Sequence, residues 1–304
     1  MEALVFDSVS LKGTNDYNAL NNISFCLEEG ECLTIIGPSG SGKKGVFSLI
    51  AGIAEPDFGT CKVFGNSCYE DSVAVHRMCG YADSESQMYS EYTLEENIEL
   101  YSSLYSINKE AVSSRFSLLV RKIGLWNQRN EQYSKLKISE RIKASLIRAV
   151  IHSPKLLVVY DIFEDLDRES IREIKEFFDY LREEEHVAIL LLTTITDCFL
   201  NDSKIFVIEG GTKLISGYEK EIISASGLRN KAIIRTLNNR LAISDVEVIP
   251  EKGRFIAYID EPEEICEIIR KAVLLDNNII EARVEEVKLE EAYLKIIEDN
   301  RGEE

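Results

Sequence analysis

Apolar residues recur along the first two thirds of the chain in short runs separated by stretches of helical spacing. "CLTIIG" (32–37), "KLLVVYD" (155–161) and "VAILLLTT" (187–194) are near-continuous apolar runs of strand length, the pattern of strands buried on both faces. After the first run, "KGVFSLIAGI" places Val46, Leu49, Ile50 and Ile53 at helical intervals. "EPDFGTCKVFG" (55–65) reads as turn, strand, turn, punctuated by Pro56, Gly59 and Gly65. In "TLEENIELYSSLYSI", Thr93 is a helix N-cap with Glu96 three residues on, the spacing of a capping box. "RIKASLIRAVI" is a further amphipathic helix, and another is expected at about 168–184. "IFVIEGGTKLISG" (205–217) reads as a hairpin turning at Gly210-Gly211. Strands alternating with helices predict a parallel sheet covered on both faces. From about 223 the texture changes. "AISDVEVI", "GRFIAYID" and "IIEARVEE" read as short strands; "EPEEICEIIRKAVLLD" and "VKLEEAYLKIIED" read as helices. A small α+β extension over 223–304 is expected, with the boundary near 220–230.

Composition narrows the class. The formal charge of −18 argues against nucleic acid as a partner, because a phosphate backbone needs a basic face. No apolar run reaches the length of a membrane span. The start, "MEALVFDSVS", has no basic region followed by an apolar stretch, so no signal peptide is expected. Seven cysteines without a C-x-x-C pair read as reduced thiols, with no zinc site. The spacing of His76, His152 and His186 builds no metal cluster.

The chemistry concentrates in "GPSGSGKKG", that is Gly37, Pro38, Ser39, Gly40, Ser41, Gly42, Lys43, Lys44 and Gly45. The G-x-x-x-x-G-K pattern lies between a buried strand and a helix, the context of a phosphate-binding loop. Glycines let backbone N–H groups close around phosphate oxygens, and Lys43 reaches the terminal phosphates. The next residue should be Ser or Thr, whose hydroxyl ligates Mg²⁺. It is Lys44, whose ammonium cannot ligate a metal and repels it.

The order of motifs resembles the ATP-binding subunit of an ABC transporter over roughly residues 3–220. "LNNISFCLEEGECLTIIGPSGSGKKGVFSLIAGIAEPDFGTCKVFG" is similar to the first sheet, phosphate loop and following strand of that family. "CGYADSESQMYSEYTLEENIELY" is similar to its Q-loop and the entry to its helical subdomain. "YSKLKISERIKASLIRAVIHSPKLLVVYDIFEDLD" runs without a gap along the signature, Walker B and D-loop region, and "IEGGTKLISG" resembles the closing hairpin. The resemblance implies an α/β P-loop NTPase fold over 1–222. This comprises a RecA-like parallel sheet, an antiparallel β portion and a helical subdomain at about 86–150. The tail resembles the extension common on export-type subunits that pair with separate membrane proteins.

Carried over residue by residue, the resemblance implies a site in which the fold is kept and the reactive groups are not. Gly52, Pro56, Gly59, Gly65, Arg148, Pro154 and the D-loop pair Leu166 and Asp167 match. Tyr160 stands at the Walker B aspartate and Asp161 at the catalytic glutamate. The signature LSGGQ is here Leu136, Lys137, Ile138, Ser139 and Glu140. The Q-loop glutamine falls at Ser84, with Gln87 three residues late, and the switch histidine falls at Thr194. Tyr17 is a candidate for stacking on adenine, or a plain surface tyrosine.

A working site of this family joins two subunits, so the implied partners are a second ATP-binding subunit and a membrane-spanning subunit. The expected role is a weakly or non-hydrolysing structural or regulatory subunit, cytoplasmic and peripheral on the inner face of the membrane. ATP is the expected ligand, with Mg²⁺ not required or not bound. Two alternatives stay open: an active ATPase with substituted residues, and a soluble nucleotide sensor without a membrane partner. Lys44 either supplies part of the missing positive charge, steadied by Asp161 in the empty state, or turns to solvent.

Overall fold

The computed structural model describes all residues except 14–18, 85–87, 165, 197, 199, 201, 238–240, 242, 244, 245, 252, 303 and 304. Tyr17 and Gln87 therefore lie outside the described residues. The chain divides into two compact units, Met1–Tyr218 and Glu219–Glu304.

The first unit opens with β1 (Glu2–Leu11), β2 (Leu20–Glu28) and β3 (Cys32–Ile36), and α1 (Lys43–Ile50) follows. Next come β4 (Phe58–Val63), β5 (Asn66–Ser67), α2 (Ser72–Met78) and β6 (Cys79–Asp83). A helical stretch holds α3 (Leu94–Ser103), α4 (Lys109–Lys122) and α5 (Ile138–Val150). The unit closes with β7 (Leu156–Tyr160), α6 (Arg168–Glu183), β8 (Ala188–Thr193), β9 (Lys204–Glu209) and β10 (Thr212–Gly217).

One sheet runs β10-β9-β3-β8-β7-β6. Its pairs from β9 to β6 are parallel, and β10 joins β9 antiparallel through the hairpin at Gly210-Gly211. The second sheet, β2-β1-β4-β5, is antiparallel. The apolar runs read from the sequence are the central strands. β3 and β8 are buried at every position, because helices or the second sheet cover both faces. Side chains alternate accordingly along β7. Leu157 and Val159 enter a core with α4, α5 and α6, including the fully buried Phe177 and Phe178. Leu156 and Val158 enter a core with α1 and the antiparallel sheet.

Local chemistry sets the helix starts. Thr93 and Glu96 form the expected capping box: the Glu96 N–H donates to Thr93 Oγ1 (3.2 Å) and the Thr93 N–H to Glu96 Oε2 (2.8 Å). Asn108 caps α4 by accepting from the N–H groups of Glu110 and Ala111.

His152, just beyond α5, stacks on Tyr105 (centroids 4.0 Å, interplanar 9°). Its Nε2–H donates to the Cys79 carbonyl (3.0 Å). Burial drives its pKa from 6.5 down to about 4; the Cys79 bond opposes this and the nearby Arg115 charge adds to it. The folded pKa lies below the unfolded one, so the unfolded chain binds the proton first. The contribution of neutral His152 is present above the unfolded value and is lost as pH falls from 6.5 towards about 4. Urea melts of His152→Gln are expected to show a pH slope across this window shallower by about 1 kcal/mol than that of the parent chain, after allowance for partial screening.

The second unit contains α7 (Glu219–Ala225), β11 (Asn230–Thr236), β12 (Val248–Glu251), β13 (Arg254–Ile259), α8 (Glu264–Leu274), β14 (Ile279–Glu285) and α9 (Leu289–Gly302). Its antiparallel sheet runs β12-β13-β11-β14. Ala232, Ile234, Ala257 and Ile259 pack with Ile268 of α8 in the core of this unit. Of the strand expected at "AISDVEVI", Val248 and Ile249 belong to β12, and residues 242, 244 and 245 lie outside the described residues; β11 was not singled out in the sequence although it is central in the sheet.

Candidate nucleotide site

The loop from Gly37 to Gly42 leaves the C-terminal end of β3 and enters α1. The Gly37 N–H donates to the Thr193 carbonyl (3.3 Å), the Ser41 N–H to the Pro38 carbonyl (3.1 Å), and the Gly211 N–H to the Ser41 carbonyl (2.9 Å). The loop is thus tied to the ends of β8 and the β9–β10 hairpin. Gly37 has no room for a side chain, since a Cβ there would lie 2.1 Å from the Ile208 carbonyl oxygen. Gly42 has φ 110°, a conformation that favours glycine.

Lys43 is 3% exposed, and its ammonium donates to the Gly37 (2.7 Å) and Pro38 (3.0 Å) carbonyls. Burial lowers its pKa, while the carboxylates of Asp161 and Glu164 oppose that shift. Ser41 is 2% exposed and its buried hydroxyl has no hydrogen-bond partner. Pro38 is half-buried, Ser39 and Gly40 are exposed, and Gly45 is buried within α1. Lys44 is exposed and forms no ion pair among the described residues.

At the end of β7, Tyr160 continues the alternation of Leu156 and Val158 and so faces α1. Its ring packs against Phe47 of α1 with centroids 5.6 Å apart. Asp161 follows in the left-handed region (φ 45°), where its N–H donates to the Leu192 carbonyl (2.8 Å). It is half-buried, and its Oδ1 has no partner. Burial raises its pKa, and the Lys43 charge pulls it back. The cation that acts on Asp161 is therefore Lys43, not Lys44, which corrects the expected Asp161–Lys44 pairing. Thr194, just past β8, donates from Oγ1 to Glu164 Oε1 (2.9 Å). Ser84 is exposed in the turn after β6.

The fold gathers Lys43, Asp161, Glu164 and Thr194 at the C-terminal ends of the parallel strands, where α/β sheets place ligands. Glu164 was not singled out in the sequence; its spacing from Asp161 was the available signal. The residues read as the signature by resemblance sit elsewhere, at the start of α5. Leu136 is buried, Lys137 is exposed, Ser139 is half-buried and Ile138 is 62% exposed. The Lys137 N–H donates to Glu140 Oε2 (2.8 Å), and Gln128 Nε2 donates to Glu140 Oε1 (3.1 Å). Glu140 thus caps its own helix. Leu166 packs against the core beside α6, and Asp167 caps α6 by accepting from the Ser170 N–H (2.7 Å). That N–H bond holds the Asp167 carboxyl below its ordinary pKa.

A nucleotide polyphosphate fits this loop. The glycine cradle, the helix N-terminus and the unpartnered Ser41 hydroxyl all suit anionic oxygens. Mg²⁺ does not fit. At the two positions where the family resemblance expects metal ligands stand an ammonium, Lys44, and a phenol, Tyr160, whose ring is packed on Phe47. An ammonium cannot ligate a metal, and a neutral phenol is a far poorer ligand for it than a carboxylate.

The architecture is that of a P-loop NTPase. It is similar to solved cbiO1 of Clostridium perfringens, part of the ABC transporter complex cbiONQ, with a TM-score of 0.66 and 17% identity over 73% of this chain and 91% of that one. At that identity the likeness shows the fold alone. Residues 20–161 match the ABC transporter family model. The ABC transporter ATP-binding protein YxdL of Bacillus subtilis is 29% identical over 187 residues, covering 60% of this chain and 73% of YxdL. The Nod factor export ATP-binding protein I of Rhizobium etli is 27% identical over 223 residues, covering 73% of this chain and 70% of that protein. Over residues 20–161 the first unit is thus similar to the ATP-binding subunits of ABC transporters.

Proposed function

We propose that this chain is an ATP-binding-type subunit of an export-type ABC transporter complex that serves as a structural or regulatory member and does not hydrolyse ATP. The observation that carries the reading is the pair Lys44 and Tyr160 beside the phosphate loop. Without a metal ligand at either position, Mg²⁺ cannot bridge the terminal phosphates, and phosphoryl transfer depends on that charge. Asp161 retains a carboxylate where the family has glutamate, but its shorter side chain falls back from the attacking water, and general-base work is sensitive to such displacement. Thr194 is uncharged at any working pH and cannot replace a histidine.

The loop and Walker B residues serve one composite site, and the signature residues serve the partner's. The implied partners are a second ATP-binding subunit and a membrane-spanning subunit, which places this chain at the cytoplasmic face of the membrane. Among the described residues no helix is long and apolar enough to cross a membrane. Likeness to a Nod factor export protein supports the export reading. Domain limits of 1–222 and 223–304, with a helical subdomain at about 86–150, belong to the same proposal.

Steady-state phosphate release by the purified chain with ATP and Mg²⁺ is expected to stay at the background of a Lys43→Ala control. Release well above that control would overturn the reading.

A further inference from the structure

Lys44 occupies the second position of α1, next to Lys43, and the first turn of this helix contains no acidic residue. The helix also has no side-chain cap. Two successive lysines thus stand at the end of a helix that already carries positive partial charge. The arrangement is unfavourable in the free protein. Lys43 is partly relieved: its ammonium is held by two loop carbonyls and lies in the field of Asp161 and Glu164. Lys44 has no such relief among the described residues. An anion at the loop would remove the conflict, and the buried Ser41 hydroxyl, 2% exposed and without a partner, independently marks an unfilled polar position there.

We propose that Lys44 replaces the divalent cation, so that this loop binds a nucleoside triphosphate without Mg²⁺. The inference rests on the non-hydrolysing reading above and gives that site its ligand chemistry. A metal ion brings two positive charges to the β- and γ-phosphate oxygens and is held by protein oxygens. Here one of those charges is built into the chain as a fixed ammonium. Tyr160, its ring packed on Phe47, puts a neutral phenol where a metal-holding carboxylate is expected. The loss of one charge lowers the affinity attainable, but it removes the dependence on metal. No bond is made or broken.

The test is calorimetric titration of the full chain with ATP, once with excess Mg²⁺ and once with EDTA. The two dissociation constants are expected to agree within about threefold, whereas the metal-dependent loops of this fold use the ion as part of the ligand. Lys44→Ser is expected to weaken binding in EDTA by about tenfold, the worth of one charge-assisted contact, and Lys44→Arg to keep it. Circular dichroism melts of both variants establish that they fold. Binding that appears only with Mg²⁺, no binding in either buffer, or an unchanged affinity for Lys44→Ser in EDTA would each overturn the proposal. Phosphate release measured in the same Mg²⁺ sample tests hydrolysis separately, so a metal-requiring but silent site defeats only the Lys44 inference.

Discussion

A heterodimer of this chain with an ABC subunit whose own phosphate loop is intact is expected to release phosphate at no more than about one hundredth of the rate of that partner's homodimer. In a usual asymmetric pair, the degenerate chain lends a good signature to the active site. Under the proposed function the signature end is altered as well. A signature works by bringing the start of a helix up to the partner's γ-phosphate, so that free N–H groups and the helix dipole meet the developing charge. At the start of α5 the Glu140 carboxylate already takes the Lys137 N–H at 2.8 Å and is braced by Gln128 at 3.1 Å. A negative group therefore stands where a phosphate should come. Ile138, 62% exposed, adds a branched side chain at the first helical position, where the family has glycine. Loss of a single oxyanion donor costs roughly 10²–10³ in turnover, and here steric and electrostatic obstacles act together. Phosphate release by the co-purified pair, with a phosphate-loop lysine variant of the partner as zero, measures this. Release near the homodimer rate would show that the α5 terminus still serves. Ile138→Gly with Glu140→Gln is expected to recover part of the rate, because the pair restores the approach and removes the negative charge.

The legible parts of the fold were those in which one local pattern decides the outcome. β3, β7 and β8 read directly as strands because burial on both faces demands continuous apolar runs. The α3 start was readable because Thr93 and Glu96 carry their own hydrogen bonds. β11 was not. "NKAIIRT" has only three apolar residues in a row, and its central place comes from pairing with β13 and β14, distant in sequence. The role of Glu140 was missed for a different reason. A capping box is recognised by a hydroxyl at the cap, but Lys137 contributes only its backbone N–H, so nothing in the sequence marks this helix end as occupied. Likewise no pattern announces that Asp161 takes a left-handed φ of 45°, or that Thr194 turns to Glu164. Such facts depend on where β7 and β8 end relative to each other. The motif spacings could name Tyr160 and Asp161, but only the alternation of β7 against α1 shows which of them faces the phosphate-loop helix.

Gly80→Ala is expected to destabilise the first unit by about 3 kcal/mol, the upper end of the cost of overpacking a core. Nothing in the sequence marks this glycine, since it stands inside β6 and not at a turn. Its backbone is not in the left-handed region, so alanine meets no conformational penalty and the cost is steric. An added Cβ would lie 2.1 Å from the Ala149 carbonyl oxygen, 2.9 Å from the Ala149 carbonyl carbon and 3.2 Å from Pro154 Cγ. The nearest of these are backbone atoms, which cannot rotate away. Relief requires α5 to move off the sheet edge, and Leu146, Ile147 and Val150 of that helix are completely buried. The shift would therefore open the core that α5 shares with α6, besides straining the contact itself. For a domain of this size the loss corresponds to a fall in Tm of roughly 6–12 °C. Gly210→Ala is the control: its Cβ would enter open space, so only the left-handed φ of 53° is penalised, at about 1 kcal/mol. Thermal melts of the two variants beside the parent chain decide the matter. A Gly80→Ala melt within 2 °C or so of the parent would mean that α5 is free to slide along β6, in contradiction to the rigid packing argued from its buried face.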